Sequence, residues 1–182
     1  ITEIRRTMPE SPNIKGIYME GPFSNGNYGA NSHLNAWKDK GVLPEDYPIT
    51  CHAVSGYSGG GKKLIAAVES DDKSKELYSP RQYALTQAHK HQPEMQYVCG
   101  LKYKPMFNPI VDDYYNGMVV SVPLITRALT KAYTPKDIHE ILSAHYEGQK
   151  YLKVMELGGK DTLPDGFLAA NTLAGTNDIA KN

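Results

Sequence analysis

A strand that runs directly into a glycine loop, and out of it into a helix, limits this chain more than any other feature. Residues 48–54 read PITCHAV, with the β-branched content and alternation of a strand. SGYSGGGKK follows from Ser55 to Lys63, and LIAAVES beyond it continues as a helix. This order is the context of a phosphate cradle, because the first N–H groups of a helix point at the turn that precedes it. Gly56, Gly61 and Lys62 also fit G-x-x-x-x-G-K, the start of a nucleotide-binding P-loop. Position 63 argues against that reading. A P-loop needs a Ser or Thr hydroxyl there to hold Mg²⁺, and Lys63 cannot ligate a metal while charged. No apolar strand ending in Asp supplies a second metal anchor. The other reading is a tight turn whose glycines allow positive φ and close backbone approach.

Around this unit the chain offers fewer signals. Residues 1–28, broken by Pro and Gly, read as an irregular lead-in, and residues 29–182 as one domain. A helix is expected over Asn31–Lys40, ending at Gly41, with only Leu34 and Trp37 on an apolar face, so a surface position is expected for it. GMVVSVPLI, Gly117 to Ile125, reads as a strand, with Pro123 marking an edge or a bulge. The strongest helix signal follows: Thr134 caps, Pro135 opens, and Ile138, Ile141, Leu142 and His145 form one stripe before Gly148. YLKVMEL gives a further strand. Without regular β-α-β alternation, the expected fold is α+β: a mixed, largely antiparallel sheet with helices on one face, and an open sheet face that invites a partner.

Charge excludes some functions. Twenty basic residues balance 20 acidic ones, so no global field attracts nucleic acid or an anionic membrane. No run of 18 apolar residues occurs, no signal-peptide pattern opens the chain, and a cytoplasmic location is expected. Thirteen tyrosines, including Tyr114 and Tyr115, lack the basic patch of a nucleic-acid stacking platform and read as surface or interface packing.

The candidates for chemistry are histidines and cysteines. His89 and His91, near Glu94, have three open readings: metal ligands, a general acid/base, or one exposed and one buried structural histidine. A third histidine at ligand spacing is missing, so no metal is expected. Cys51 neighbours His52, but adjacent strand residues point to opposite faces, so the two cannot form a nucleophile and base pair. Cys51 and Cys99 both read as structural thiols.

Taken in order, GVLPEDYPIT, HAVSGYSGGGKK, AHKHQPEM, FNPIVDDYYNGMVVSVPL and LAGTND resemble the corresponding segments of the N-acetyl-gamma-glutamyl-phosphate reductases, in their shorter form. The resemblance is good over residues 41 to 125 and looser elsewhere. It implies an arginine-biosynthesis enzyme with an NADP-binding Rossmann domain and a second domain, like the C-terminal domain of glyceraldehyde-3-phosphate dehydrogenase, that carries the active site and the dimer contact. In the implied reaction a cysteine thiolate attacks the acyl phosphate, hydride from NADPH releases the semialdehyde, and a histidine assists proton transfer. It also places the glycine loop beside the active site.

Two departures stand out. No G-x-G-x-x-G follows a first strand, so the Rossmann half is expected to be absent and no cofactor is expected on this chain. The family's nucleophile lies in a G-C-Y-x-T-G segment, and the best match here sets Asn27 at the cysteine position, before Tyr28. An amide cannot form a thioester. The expectation is therefore a catalytic and dimerisation domain that cannot run the reaction alone. His91 and His89 are its candidate acid/base residues. Ser55, Gly56, Tyr57, Ser58, Gly59 and Lys62 are candidates for binding a small anion through backbone N–H groups and an ammonium. Its expected partner is a second copy, or another chain carrying the cofactor domain.

Overall fold

Alternation along TCHAVSG gives a strand with two chemically different faces, and the domain is built around it. The computed structural model describes residues 26–158, 163–176 and 179–181; the lead-in up to residue 25 lies outside them. Strands β1 (Thr50–Gly56), β2 (Arg81–Gln82), β3 (Met106–Asp112) and β4 (Met118–Ser121) form one sheet in the order β2-β3-β1-β4. Helices α1 (Gly26–Asp39), α2 (Lys62–Val68), α3 (His91–Val98) and α4 (Pro135–His145) accompany it, and β5 (Leu152–Val154) pairs in parallel with β6 (Ile179–Lys181). The fold is the expected α+β type with a mixed sheet: β1 runs parallel to β3 and antiparallel to β4, while β2 runs antiparallel to β3.

The register sorts the side chains. Cys51 pairs with Phe107 and Ala53 with both Pro109 and Val120, which places these residues on one face. That face is dry: Cys51, Ala53, Phe107 and Pro109 are buried. Helix α1 packs against it and is flanked by α3 and α4. His52, paired with Asn108 and Ser121, and Val54, paired with Ile110 and Val119, occupy the opposite face.

The position of α1 corrects the sequence expectation of a surface helix. It starts at Gly26 rather than Asn31, and Leu34, Ala36 and Trp37 are 0, 0 and 3% exposed. The apolar stripe was hard to see because the buried face also holds Asn35, while His33 stacks on the Trp37 ring with centroids 5.2 Å apart. Ala36 adds little to a hydrophobic pattern, yet its small size lets the helix sit close to the strands.

Strand β3 was not read from the sequence because Pro109 interrupts it. Within a strand the N–H and C=O of one residue point to the same side. The Pro109 carbonyl accepts from Tyr83 N–H at 3.1 Å on the β2 side, so the missing proline N–H faces that edge and the ladder with β1 stays whole. β2 stops at Gln82 for the same reason. The Gly117–Ile125 strand is shorter than expected, Met118–Ser121, and Pro123 lies beyond it; β4 is an edge strand.

The 134–145 segment folds as its sequence indicates. Thr134 Oγ1 accepts from Asp137 N–H at 3.2 Å, and the Asp137 carboxylate accepts from Thr134 N–H at 2.7 Å, closing a capping box with Pro135 in the first turn. Those hydrogen bonds hold the exposed Asp137 carboxyl below its ordinary pKa. Leu142 is buried, with Ile138 and Ile141 packed beside it.

If α1 is core, Leu34→Ala will lower the stability of the domain by about 3 kcal/mol, whereas Leu85→Ala, at a residue 70% exposed, will change it by less than about 0.5 kcal/mol. Urea unfolding followed by circular dichroism measures both; equal, small effects would return α1 to the surface.

Candidate functional site

The loop between β2 and α3 carries the histidines. Gln87 reaches from it to β3, where Nε2 donates to the Phe107 carbonyl and Oε1 accepts from Phe107 N–H, both at 3.0 Å. Phe107 faces the same edge as Pro109, so the Gln87 amide continues the ladder where β2 has ended. Gln87 holds a positive φ of 55°, a conformation an ordinary residue adopts at some cost and keeps here because its side chain is anchored.

Gln92, 3% exposed, completes the anchorage. Its Oε1 accepts from His89 N–H at 3.0 Å, and its Nε2 donates to Gln87 Oε1 at 3.1 Å and to the Pro105 carbonyl at 2.9 Å. A buried amide with both ends bonded fixes whatever is attached to it.

The two histidines are brought together, with ring centroids 4.6 Å apart. His89 packs edge-on against Phe107 at 5.1 Å and lies 5.7 Å from the Tyr83 ring. Its Nδ1 accepts from His91 N–H at 3.2 Å, so the neutral ring carries its proton on Nε2. Burial, then the nearby His91 and Lys90, push the His89 pKa down to about 4. The unfolded chain binds a proton near pH 6.5 that folded His89 refuses until about 4, so this group favours folding above that window and opposes it as the pH falls from 6.5 to 4. His91 is buried and its Nδ1 lies 3.2 Å from Glu94 Oε2. A carboxylate in that position fixes the orientation of the ring. Among the described residues no three His, Cys, Asp or Glu side chains are grouped so as to hold a metal ion.

The glycine loop is occupied by the protein itself. Gly56 N–H donates to the Gly117 carbonyl at 3.1 Å, Tyr57 N–H to Tyr114 at 2.9 Å, and Ser58 N–H to Tyr115 at 2.9 Å, while Ser55 Oγ donates to the Ile110 carbonyl at 3.2 Å. A Cβ at Gly56 would stand 2.6 Å from the carbonyl oxygens of Tyr114 and Tyr115, and Gly61 has a φ of 78°. Close approach and positive φ explain these two glycines. Gly59 and Lys62 remain exposed at the loop's outer side.

The ladder separates the two features. Phe107, against which His89 packs, pairs with Cys51, while Ser55 pairs with Val111 four residues further on, a distance of about 13 Å along the strands.

Neither cysteine is a nucleophile in waiting. Cys51 and Cys99 are buried thiols outside any disulfide, and burial pushes both up to about 12. Asn27 lies in the first turn of α1, although its side chain falls outside the described residues. Gln87 and Gln92 escaped the sequence reading, because a glutamine pair five apart carries no pattern; only the positive φ and the register against β3 reveal their use.

A mixed sheet covered on one face by a helical layer, with an anchored histidine pair at its β3 edge, defines an α+β domain of the kind that forms half of a semialdehyde dehydrogenase. Residues 30–180 match the family described as semialdehyde dehydrogenase, dimerisation domain, and the chain belongs to that family. Among characterised proteins it is 41% identical over 152 residues to an N-acetyl-gamma-glutamyl-phosphate reductase of Burkholderia lata, covering 83% of this chain and 47% of that one. It is 36% identical over 174 residues to the enzyme of that name from Sinorhizobium medicae, covering 84% and 56%. The chain spans about half the length of the curated relatives it matches. An aspartate semialdehyde dehydrogenase from Francisella tularensis superposes with a TM-score of 0.57 over 86% of this chain and 53% of that one at 15% identity, a likeness of fold. No helix among the described residues is long and apolar enough to cross a membrane.

With pKa values near 12, roughly one thiol in ten thousand is ionised at pH 8. A thiolate-selective aromatic disulfide is therefore expected to label neither cysteine in the folded protein within an hour, and both after denaturation; fast labelling of either would reopen its role.

Proposed function

We propose that this chain is the dimerising, proton-handling half of an N-acetyl-gamma-glutamyl-phosphate reductase of the arginine-biosynthesis family, working in the cytoplasm, and that it cannot perform reductive dephosphorylation by itself. The observation that carries this reading is the state of the two thiols. The reaction needs a thiolate that attacks an acyl phosphate and expels phosphate, while Cys51 and Cys99 are buried with pKa values near 12 and Asn27 stands at the family's cysteine position.

His91, held by Glu94, is the acid/base candidate, with His89 beside it. For the anionic end of a substrate the exposed Lys62 is the cation that the glycine loop offers, with Gly59 beside it; Ser55, Gly56, Tyr57 and Ser58 build the loop's base. NADP does not fit the described residues. The loop's N–H groups at 56, 57 and 58 are already donated to backbone carbonyls, and α2 has only seven residues. Cofactor binding therefore belongs to residues outside this fold, on this polypeptide or on another.

The partner surface proposed for a second copy is the sheet face opposite α1. His52, Met106 and Ser121 are exposed on it, and Val54, Ile110 and Val119 are half-buried. An apolar centre with a polar rim is the composition of a subunit interface. Sedimentation of the full chain should show a dimer that Val54→Asp with Ile110→Asp converts to a folded monomer; a monomeric parent at micromolar concentrations would remove this part of the proposal.

The activity test is phosphate-dependent, NADP⁺-dependent oxidation of N-acetylglutamate semialdehyde, with a family cofactor domain supplied. The unmodified chain is expected to be inactive and Asn27→Cys to turn over. A cysteine there would stand in the first turn of α1, where the helix dipole lowers a thiol pKa. Turnover by the unmodified chain would favour a working reductase completed by its partner and sink the claim of a lost nucleophile.

A further inference from the structure

Two histidines 4.6 Å apart could share one role or divide two, and their backbone bonds decide between these. His91 is the first residue of α3, so its N–H has no partner within the helix. No side chain of the capping residue Lys90 satisfies it; the imidazole Nδ1 of His89 does, at 3.2 Å. That bond requires Nδ1 to be bare. A proton on it would set one N–H against another and orphan the end of the helix.

The bond forms only if the His89 backbone holds the ring over α3, and Gln92 supplies that restraint by accepting His89 N–H. Gln92 is itself held by Gln87 and Pro105, and Gln87 by Phe107 on the central strand. The chain of contacts thus runs from β3 through two amides to the backbone of His89, whose ring nitrogen then meets the His91 N–H. We propose that Gln92, with Gln87, is a positioning residue that locks His89 in its neutral Nε2–H form, so that the pair presents one fixed hydrogen-bond donor beside one proton-carrying base, His91.

Charged and titratable surroundings agree with this division. Lys90 and His91 both disfavour a cation at His89, Tyr83 contributes a neutral ring, and Glu94 faces His91 rather than His89. The use of the pair in acid/base chemistry rests on the proposed function. The tautomer does not, and it is read without substrate.

Long-range ¹H–¹⁵N spectra of the imidazoles in the full chain, recorded from acid to neutral pH, test the assignment. His89 is expected to show a bare Nδ1 and a protonated Nε2 at neutral pH and to titrate near 4, well below the ordinary 6.5. In Gln92→Leu the tautomers should mix and the midpoint move up toward 6.5. Gln87→Met, which leaves Gln92 in place, should move both in the same direction by less. Glu94→Gln should alter His91 while leaving His89 unchanged.

A proton on Nδ1 of His89 in the unsubstituted chain, or a midpoint near 6.5 there, would overturn the proposal whether or not any variant folds. So would a folded Gln92→Leu protein with an unchanged His89, or a Glu94→Gln protein in which His89 shifts as far as in Gln92→Leu. An inactive enzyme with the expected tautomer would leave this inference standing and count against the proposed function alone.

Discussion

The parallel ladder between β1 and β3 is the interaction on which the rest depends. It sets Cys51 against Phe107 and Ala53 against Pro109 on the face that α1 covers, and it sets His52 against Asn108 on the face that α1 leaves open. A shift of one residue would exchange the two faces. The dry side of this register is worth most of the core: Phe107, Leu34, Met95 and Val42 are fully buried, each contributing about 1.5–3 kcal/mol by removal from water. The same ladder carries the site, because Gln87 bonds Phe107 on the edge that Pro109 makes unusable for a longer β2.

The site shows a division between support and reactivity. Gln92 is a buried amide with both ends bonded and Gln87 an exposed one bonded to β3, which gives rigidity without charge. His91 is paired with a carboxylate instead, and His89 is kept neutral by burial and by a backbone donor. The glycine loop, by contrast, gives its N–H groups at Gly56, Tyr57 and Ser58 to the turn at Tyr114–Gly117. Its resemblance to a phosphate cradle includes a shared need for small residues where backbones meet.

Much of the site was legible in the sequence as residue types, and less as geometry. His89 and His91 stand out as a titratable pair near Glu94, the Ser55–Lys62 loop by its glycines, and the capped helix at Pro135–His145 by its Thr and Pro. Strand β3 was hidden because Pro109 normally argues against a central strand, and here its missing N–H falls beyond the end of a two-residue neighbour. Helix α1 was misplaced because Asn35 and Ala36 on its buried face diluted the apolar pattern that identifies a core helix.

The sequence by itself determined the family, the α+β class and the opposite faces of Cys51 and His52, since these follow from residue identity, motif order and the two-residue period of a strand. Only the tertiary structure decided that α1 is core, that the loop's N–H groups at 56 to 58 meet the Tyr114–Gly117 turn, that Phe107 and Val111 beside the histidines and the loop stand about 13 Å apart along β3, and that two glutamines hold the segment carrying His89. Each of those depends on contacts between segments distant along the chain, whose register no local pattern specifies.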